Sequence, residues 1–176
     1  NIEMMNFFLE WLDEEYKGDV NLIDRAGNFK EAYPDADVYS DFNELIARDD
    51  LDFVDVVVPS HLHHAVATAV LGAGKHLLLE KPVALNAQQV QELQRLALGA
   101  GVCVGVDFEY RAVPLFQQLD ALIKSGVLGE LYLVKLDWLM GSRADGSRPW
   151  NWYSQRSEGG GVLGALGTHA FDTLHW

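Results

Sequence analysis

Phe53-Val54-Asp55-Val56-Val57-Val58 is a β-branched, apolar run that stops at Pro59. Such composition predicts a buried strand, and the proline ends it because it has no N–H to give a ladder. Ser60 through Gly72 then reads as a helix with Val66, Ala69 and Val70 on one face. Gly74 closes that helix. Lys75-His76-Leu77-Leu78-Leu79 is a second apolar strand that runs into Glu80-Lys81-Pro82. Asn86 is placed to cap a further helix through Leu98, which Gly99 and Gly101 close. Val102-Cys103-Val104-Gly105-Val106 is a third apolar strand. Strands alternating with helices, each strand nearly continuous in apolar residues, specify a parallel sheet covered on both faces.

The pattern extends upstream. Asn1 to Lys17 reads as an amphipathic helix, with Met4, Met5, Phe8, Leu9 and Leu12 at helical spacing, and Gly18 ends it. Val20 to Asp24 is a short strand ending on a carboxylate, and Ala36 to Tyr39 is a candidate for another. Asp41, with Glu44 three residues on, predicts a capping box for a helix to about Arg48. Right-handed crossovers place Asp24, Pro59 and Lys81 along the carboxyl edge of one sheet, where ligands of open parallel sheets bind.

After Arg111 the texture changes. Pro114 to Ser125 predicts a helix, Gly126 to Gly129 a turn, and Glu130 to Leu139 a strand of alternating apolar and charged residues. Gly159, Gly160 and Gly161 precede a last helix. A domain boundary is expected near Asp107 to Arg111, separating residues 1–108 from residues 109–176.

Composition limits the partners. The chain of 176 residues is 49% hydrophobic with a net charge of −13, which suits a globular protein that does not bind nucleic acid or an anionic membrane. The acidity is uneven: residues 1–55 hold 16 acidic and 4 basic side chains. The single cysteine, Cys103, excludes an internal disulfide and is expected in the core; with no membrane-length apolar run and no signal peptide, a cytoplasmic protein is expected. The start at Asn1 and the end at Trp176, within an amphipathic stretch, lead us to expect part of a longer chain.

Four segments resemble one family in order and spacing. They are Val58-Pro59-Ser60-His61-Leu62-His63; Ala73-Gly74-Lys75-His76 through Glu80-Lys81-Pro82; Arg111-Ala112-Val113-Pro114 with Ser125-Gly126-Val127-Leu128-Gly129; and Gly159-Gly160-Gly161 through Gly167-Thr168-His169-Ala170-Phe171-Asp172. Over residues 20 to 176 the chain resembles the glucose–fructose oxidoreductase, inositol dehydrogenase and MocA family. The resemblance implies a Rossmann-type domain over residues 1–108 that lacks its first strand and Gly-rich loop. Residues 109–176 would begin a C-terminal substrate and oligomerisation domain with a mostly antiparallel sheet. It implies hydride transfer between NAD or NADP and a sugar, polyol or related alcohol, by a protein that is a homo-oligomer at full length.

Three departures stand out. No G-x-G-x-x-G precedes Val20, so residues 1–176 are expected to bind NAD weakly. The Asp that many members carry four residues before the catalytic His is here Ala165. The segment Gly105 to Arg111 is longer than the common pattern by about two residues, which leaves Asp107 and Glu109 without assigned roles.

The candidate site residues follow. Lys81 ends a buried strand before a proline and can polarise a substrate oxygen or bind cofactor hydroxyls; a surface lysine in a turn is the plainer alternative. His169 suits proton exchange at neutral pH, and Asp172, three residues on, could orient it. Asp24 is placed to accept from ribose hydroxyls, and Arg25 to meet a 2′-phosphate, so NAD and NADP both stand. Pro59, Ser60, Leu62, His63 and Glu80 resemble the cofactor-lining positions. Arg111 fits either the cofactor side or a salt bridge. Trp150 could stack on a sugar face, with core packing or a subunit interface as the alternative. The His61, His63 and His64 cluster lacks a carboxylate or cysteine at ligand spacing, so no metal is expected. Two other functions remain open: a catalytically inactive binding or regulatory protein of this fold, and a glycoside hydrolase that uses NAD for transient oxidation.

Overall fold

The computed structural model describes residues 37–39, 41–139, 141, 146–147 and 150–176. The expected first helix, the strand Val20 to Asp24, and the candidates Asp24 and Arg25 lie outside these residues. The chain divides into two compact units, Asn1–Val106 and Asp107–Trp176.

In the first unit, helix α1 spans Phe42–Ile46 and is capped by Asp41, whose carboxylate accepts from the Asn43 N–H at 2.8 Å. Strand β1 is Phe53–Val56, β2 is His76–Glu80 and β3 is Val104–Asp107, in the sheet order β1-β2-β3. β1 and β2 are parallel, with Phe53 opposite His76 and Val56 opposite Leu79. A short 3₁₀ turn, Ser60–Leu62, leads into helix α2, His63–Gly72, which returns the chain between them. Helix α3, Ala87–Ala100, carries it from β2 to β3. The α3 ends follow the sequence signals: the Asn86 side-chain Oδ1 accepts from the Gln89 N–H at 3.0 Å, and Gly101 closes the helix at φ 69°.

The core lies between this sheet and its helices. Val54, Val56, Leu77 and Leu79 turn inward against Val66, Ala67, Val70 and Leu71 of α2, with Leu93 of α3 joining them. Burying each such side chain stabilises the fold by about 1.5–3 kcal/mol.

Several expectations change. Among the described residues β1 and β2 alternate rather than bury continuously, because Phe53 and His76 are exposed. Ala69 is only partly buried, its neighbour Ala67 taking the inward place. Cys103 is exposed, not in the core: it sits just before β3, where its carbonyl accepts from the Leu77 N–H at 3.0 Å. Residues 37–39 form no strand.

In the second unit, a 3₁₀ turn at Glu109–Ala112 precedes helix α4, Pro114–Lys124, with the proline in its first turn. Residues 130–139 make no ladder among the described residues, and the apolar side chains of Leu131, Leu133 and Leu139 stay exposed. An alternating pattern becomes a strand only with a neighbour to bond, and none is described here. The three glycines enter a π-helical turn, Leu163–Gly167, that continues into helix α5, Thr168–His175. Gly159 and Gly161 have φ of 82° and 97°, and a Cβ on Gly160 would lie 2.4 Å from the Trp152 carbonyl oxygen.

Candidate active site

Two groups of candidate residues are described, one in each unit. The first occupies the carboxyl edge of the sheet. Because β1 and β2 run parallel, the Pro59 turn and the Lys81–Pro82 turn leave the sheet at the same end. The Leu62 N–H bonds the Pro59 carbonyl at 2.9 Å, which fixes the first turn. Glu80 accepts the Lys81 backbone N–H at 2.9 Å, so its carboxylate shapes the second. Lys81 is half-buried, and its peptide bond to Pro82 is cis. Ser60 is buried at the start of the 3₁₀ turn, while Leu62 packs against the core.

His63 ties the two turns together. Its Nε2 lies 2.8 Å from the Val58 carbonyl and its Nδ1 2.6 Å from the Pro82 carbonyl. The ring is buried, and burial pushes its pKa below the ordinary imidazole value, against two carbonyls that favour the protonated form. Both ring nitrogens face backbone carbonyls, and the neutral ring donates to one of them. His64 turns away to Glu92, with Nε2 3.1 Å from the carboxylate. The histidines therefore do not converge, and no cluster of three or more potential metal ligands occurs among the described residues.

The second group surrounds His169 on α5. Its ring is 3% exposed and is enclosed by aromatic rings: Phe108 at 6.0 Å, Tyr110 at 4.7 Å and Trp138 at 6.2 Å between centroids. The Glu109 carboxylate lies 3.6 Å from Nε2. Burial, and then the Glu109 charge, raise the pKa of the Tyr110 phenol. Asp172 was the expected partner of His169, but its carboxylate takes a fork from Arg111, with Nε at 2.8 Å and Nη2 at 2.5 Å. This bond holds the guanidinium pKa above its usual value. Arg111 also lies over the Trp176 ring at 5.9 Å.

A cavity of about 420 Å³ opens in this unit, lined by residues including Trp138, Trp150, Tyr153 and Ala165. Trp150 is largely exposed at its rim, and Ala165 is buried in the π-helical turn. Two indoles, one phenol and one hydroxyl are the polar side chains of the lining among the described residues, and none of these lining side chains is charged. Sequence reasoning missed the aromatic enclosure and the approach of Glu109. Glu109 and His169 are 60 residues apart, so no local spacing joins them.

Parallel strands joined by a helix, with two turns at their carboxyl edge, are the arrangement in which open α/β sheets bind ligands. Residues 20–108 match the oxidoreductase family with its NAD-binding Rossmann fold, and residues 116–176 match the GFO/IDH/MocA C-terminal domain. The chain belongs to the Gfo/Idh/MocA family. An uncharacterised oxidoreductase of Synechocystis is 48% identical over 138 residues, covering 78% of this chain and 37% of that protein. Levoglucosan dehydrogenase of Pseudarthrobacter phenanthrenivorans is 31% identical, covering 78% of this chain and 35% of that protein. The crystal structure of an oxidoreductase domain protein from Kribbella flavida superposes with a TM-score of 0.78 at 30% identity, over 87% of this chain and 42% of that one. The chain thus spans well under half the length of these relatives.

Residues 20–108 match an NAD-binding domain, and Pro59, Ser60, Glu80 and Lys81 lie at the carboxyl end of its parallel strands, the end at which such sheets take their ligands.

Proposed function

We propose that the full-length protein is an NAD(P)-dependent oxidoreductase that moves a hydride between the nicotinamide and an uncharged sugar or cyclic polyol. The observation that carries this reading is Lys81, held at the carboxyl edge of a family-matched nucleotide fold by the Glu80 and His63 contacts. The cofactor, when bound, supplies the hydride acceptor or donor.

The chain's own groups do the rest. Lys81 polarises the reacting oxygen or holds cofactor hydroxyls, and its placement in a bonded turn limits the freedom it loses on binding. His169 accepts the hydroxyl proton in the oxidative direction, for which its imidazole must be neutral. Trp150, which lines the cavity, stacks on the apolar face of a ring. The described part of the cavity lining carries no charged side chain, which supports a neutral ligand, because a charged one would find no partner there.

The test is reduction of NAD and of NADP by the full-length protein with a panel of neutral sugars and cyclic polyols. Growth of reduced nicotinamide with at least one of them is expected. No reduction with any of them, or release of free sugar without net reduced nicotinamide, would exclude this function.

A further inference from the structure

We propose that Glu109, supplied from the Glu109–Ala112 turn, is the positioning carboxylate of His169 on α5. The inference rests on the proton-acceptor role given to His169 above. When His169 takes a proton it becomes a cation inside an enclosure of Phe108, Tyr110 and Trp138 rings, 3% exposed. A buried cation needs a countercharge.

The elements around the ring differ in what they offer. On its own helix, Asp172 is committed to Arg111 through two hydrogen bonds. The π-helical turn presents Ala165, which is apolar. Next to Trp138, Asp137 pairs with Lys135 at 2.9 Å. The Glu109–Ala112 turn brings the Tyr110 phenol, whose raised pKa keeps it neutral in the working range, and the Glu109 carboxylate. Glu109 Oε1 stands 3.6 Å from His169 Nε2, beyond a hydrogen bond but within an ion pair. At 52% exposure it joins a buried ring to solvent.

A nearby negative charge favours the imidazolium, so its removal lowers the pH at which His169 titrates. The experiment follows the His169 ring proton by NMR across pH in the full-length protein, in E109Q and in E109D. The E109Q midpoint is expected to fall by roughly half a pH unit or more, allowing for the partial exposure of the carboxylate. E109D, which keeps the charge on a shorter stem, should fall between E109Q and the parent. The acidic limb of the pH–rate profile should move in the same direction, with KM little changed. Coincident His169 titrations in the parent and E109Q would overturn the proposal, whatever the activity. A shifted titration in a protein that reduces no NAD or NADP would uphold Glu109 as the partner of His169 and remove the dehydrogenase reading instead.

Discussion

The roles proposed for Lys81 and His169 differ, and single substitutions separate them. Lys81 is a half-buried polar residue at a strand end, so its loss leaves no core cavity. Lys81→Ala in the full-length enzyme is expected to lower kcat by about 100-fold or more while thermal stability stays near that of the parent. Near-normal turnover with an unchanged pH profile would remove Lys81 from the mechanism. His169→Asn should abolish the acidic limb of the oxidative pH–rate profile, since a neutral ring must accept the proton. Survival of that limb would pass the base role to Lys81. Gly160 acts through space rather than charge. Its missing Cβ would meet the Trp152 and Tyr153 backbone at 2.4 and 2.6 Å, so the 152–154 turn must shift for Gly160→Ala to fit. A loss of about 1–3 kcal/mol is expected by chemical denaturation, as for other overpacked sites.

At the scale of elements, His63 is the strap between the β1 and β2 exits. Its pKa is lower folded than unfolded, because burial outweighs the two carbonyls. Between the folded value and the unfolded one, near pH 6.5, the unfolded chain binds more protons, so stability rises with pH there. The contribution is complete above that window and is lost as pH falls through it. Denaturation midpoints measured from neutral pH down to about pH 5 should decline in the parent and decline less steeply in His63→Gln. Parallel slopes would show that another group sets the acid sensitivity. The same strap gives the Pro59 and Lys81 turns a common frame, so loss of His63 is also expected to weaken cofactor binding without touching the cofactor.

Across the whole molecule the buried apolar side chains are unevenly shared. Among the described residues, Ala165 alone represents the second unit in a core otherwise built from Leu45 to Leu93. Leu131, Leu133 and Leu139 of that unit remain exposed. Local stability follows buried apolar contacts, so hydrogen exchange on residues 1–176 should be slowest in β1, α2 and β2. Exchange in residues 130–139 should approach that of an open chain. Equal protection of the two regions would show that the exposed leucines are covered in solution.

The sequence by itself determined the βαβ order, the Asn86 and Gly101 ends of α3, the glycine-rich entry to α5 and the family. Each depends on residues close in the chain: apolar runs, caps, and positive φ that glycine tolerates. Tertiary structure decided what sequence spacing does not encode. It gave Asp172 to Arg111, 61 residues away, although Asp172 shares a helix with His169. It brought Glu109 to His169, turned His63 inward to two carbonyls, and left Cys103 exposed within an apolar run. Side-chain partners are chosen by distance and burial in the folded chain, and a residue's spacing within its own element fixes neither.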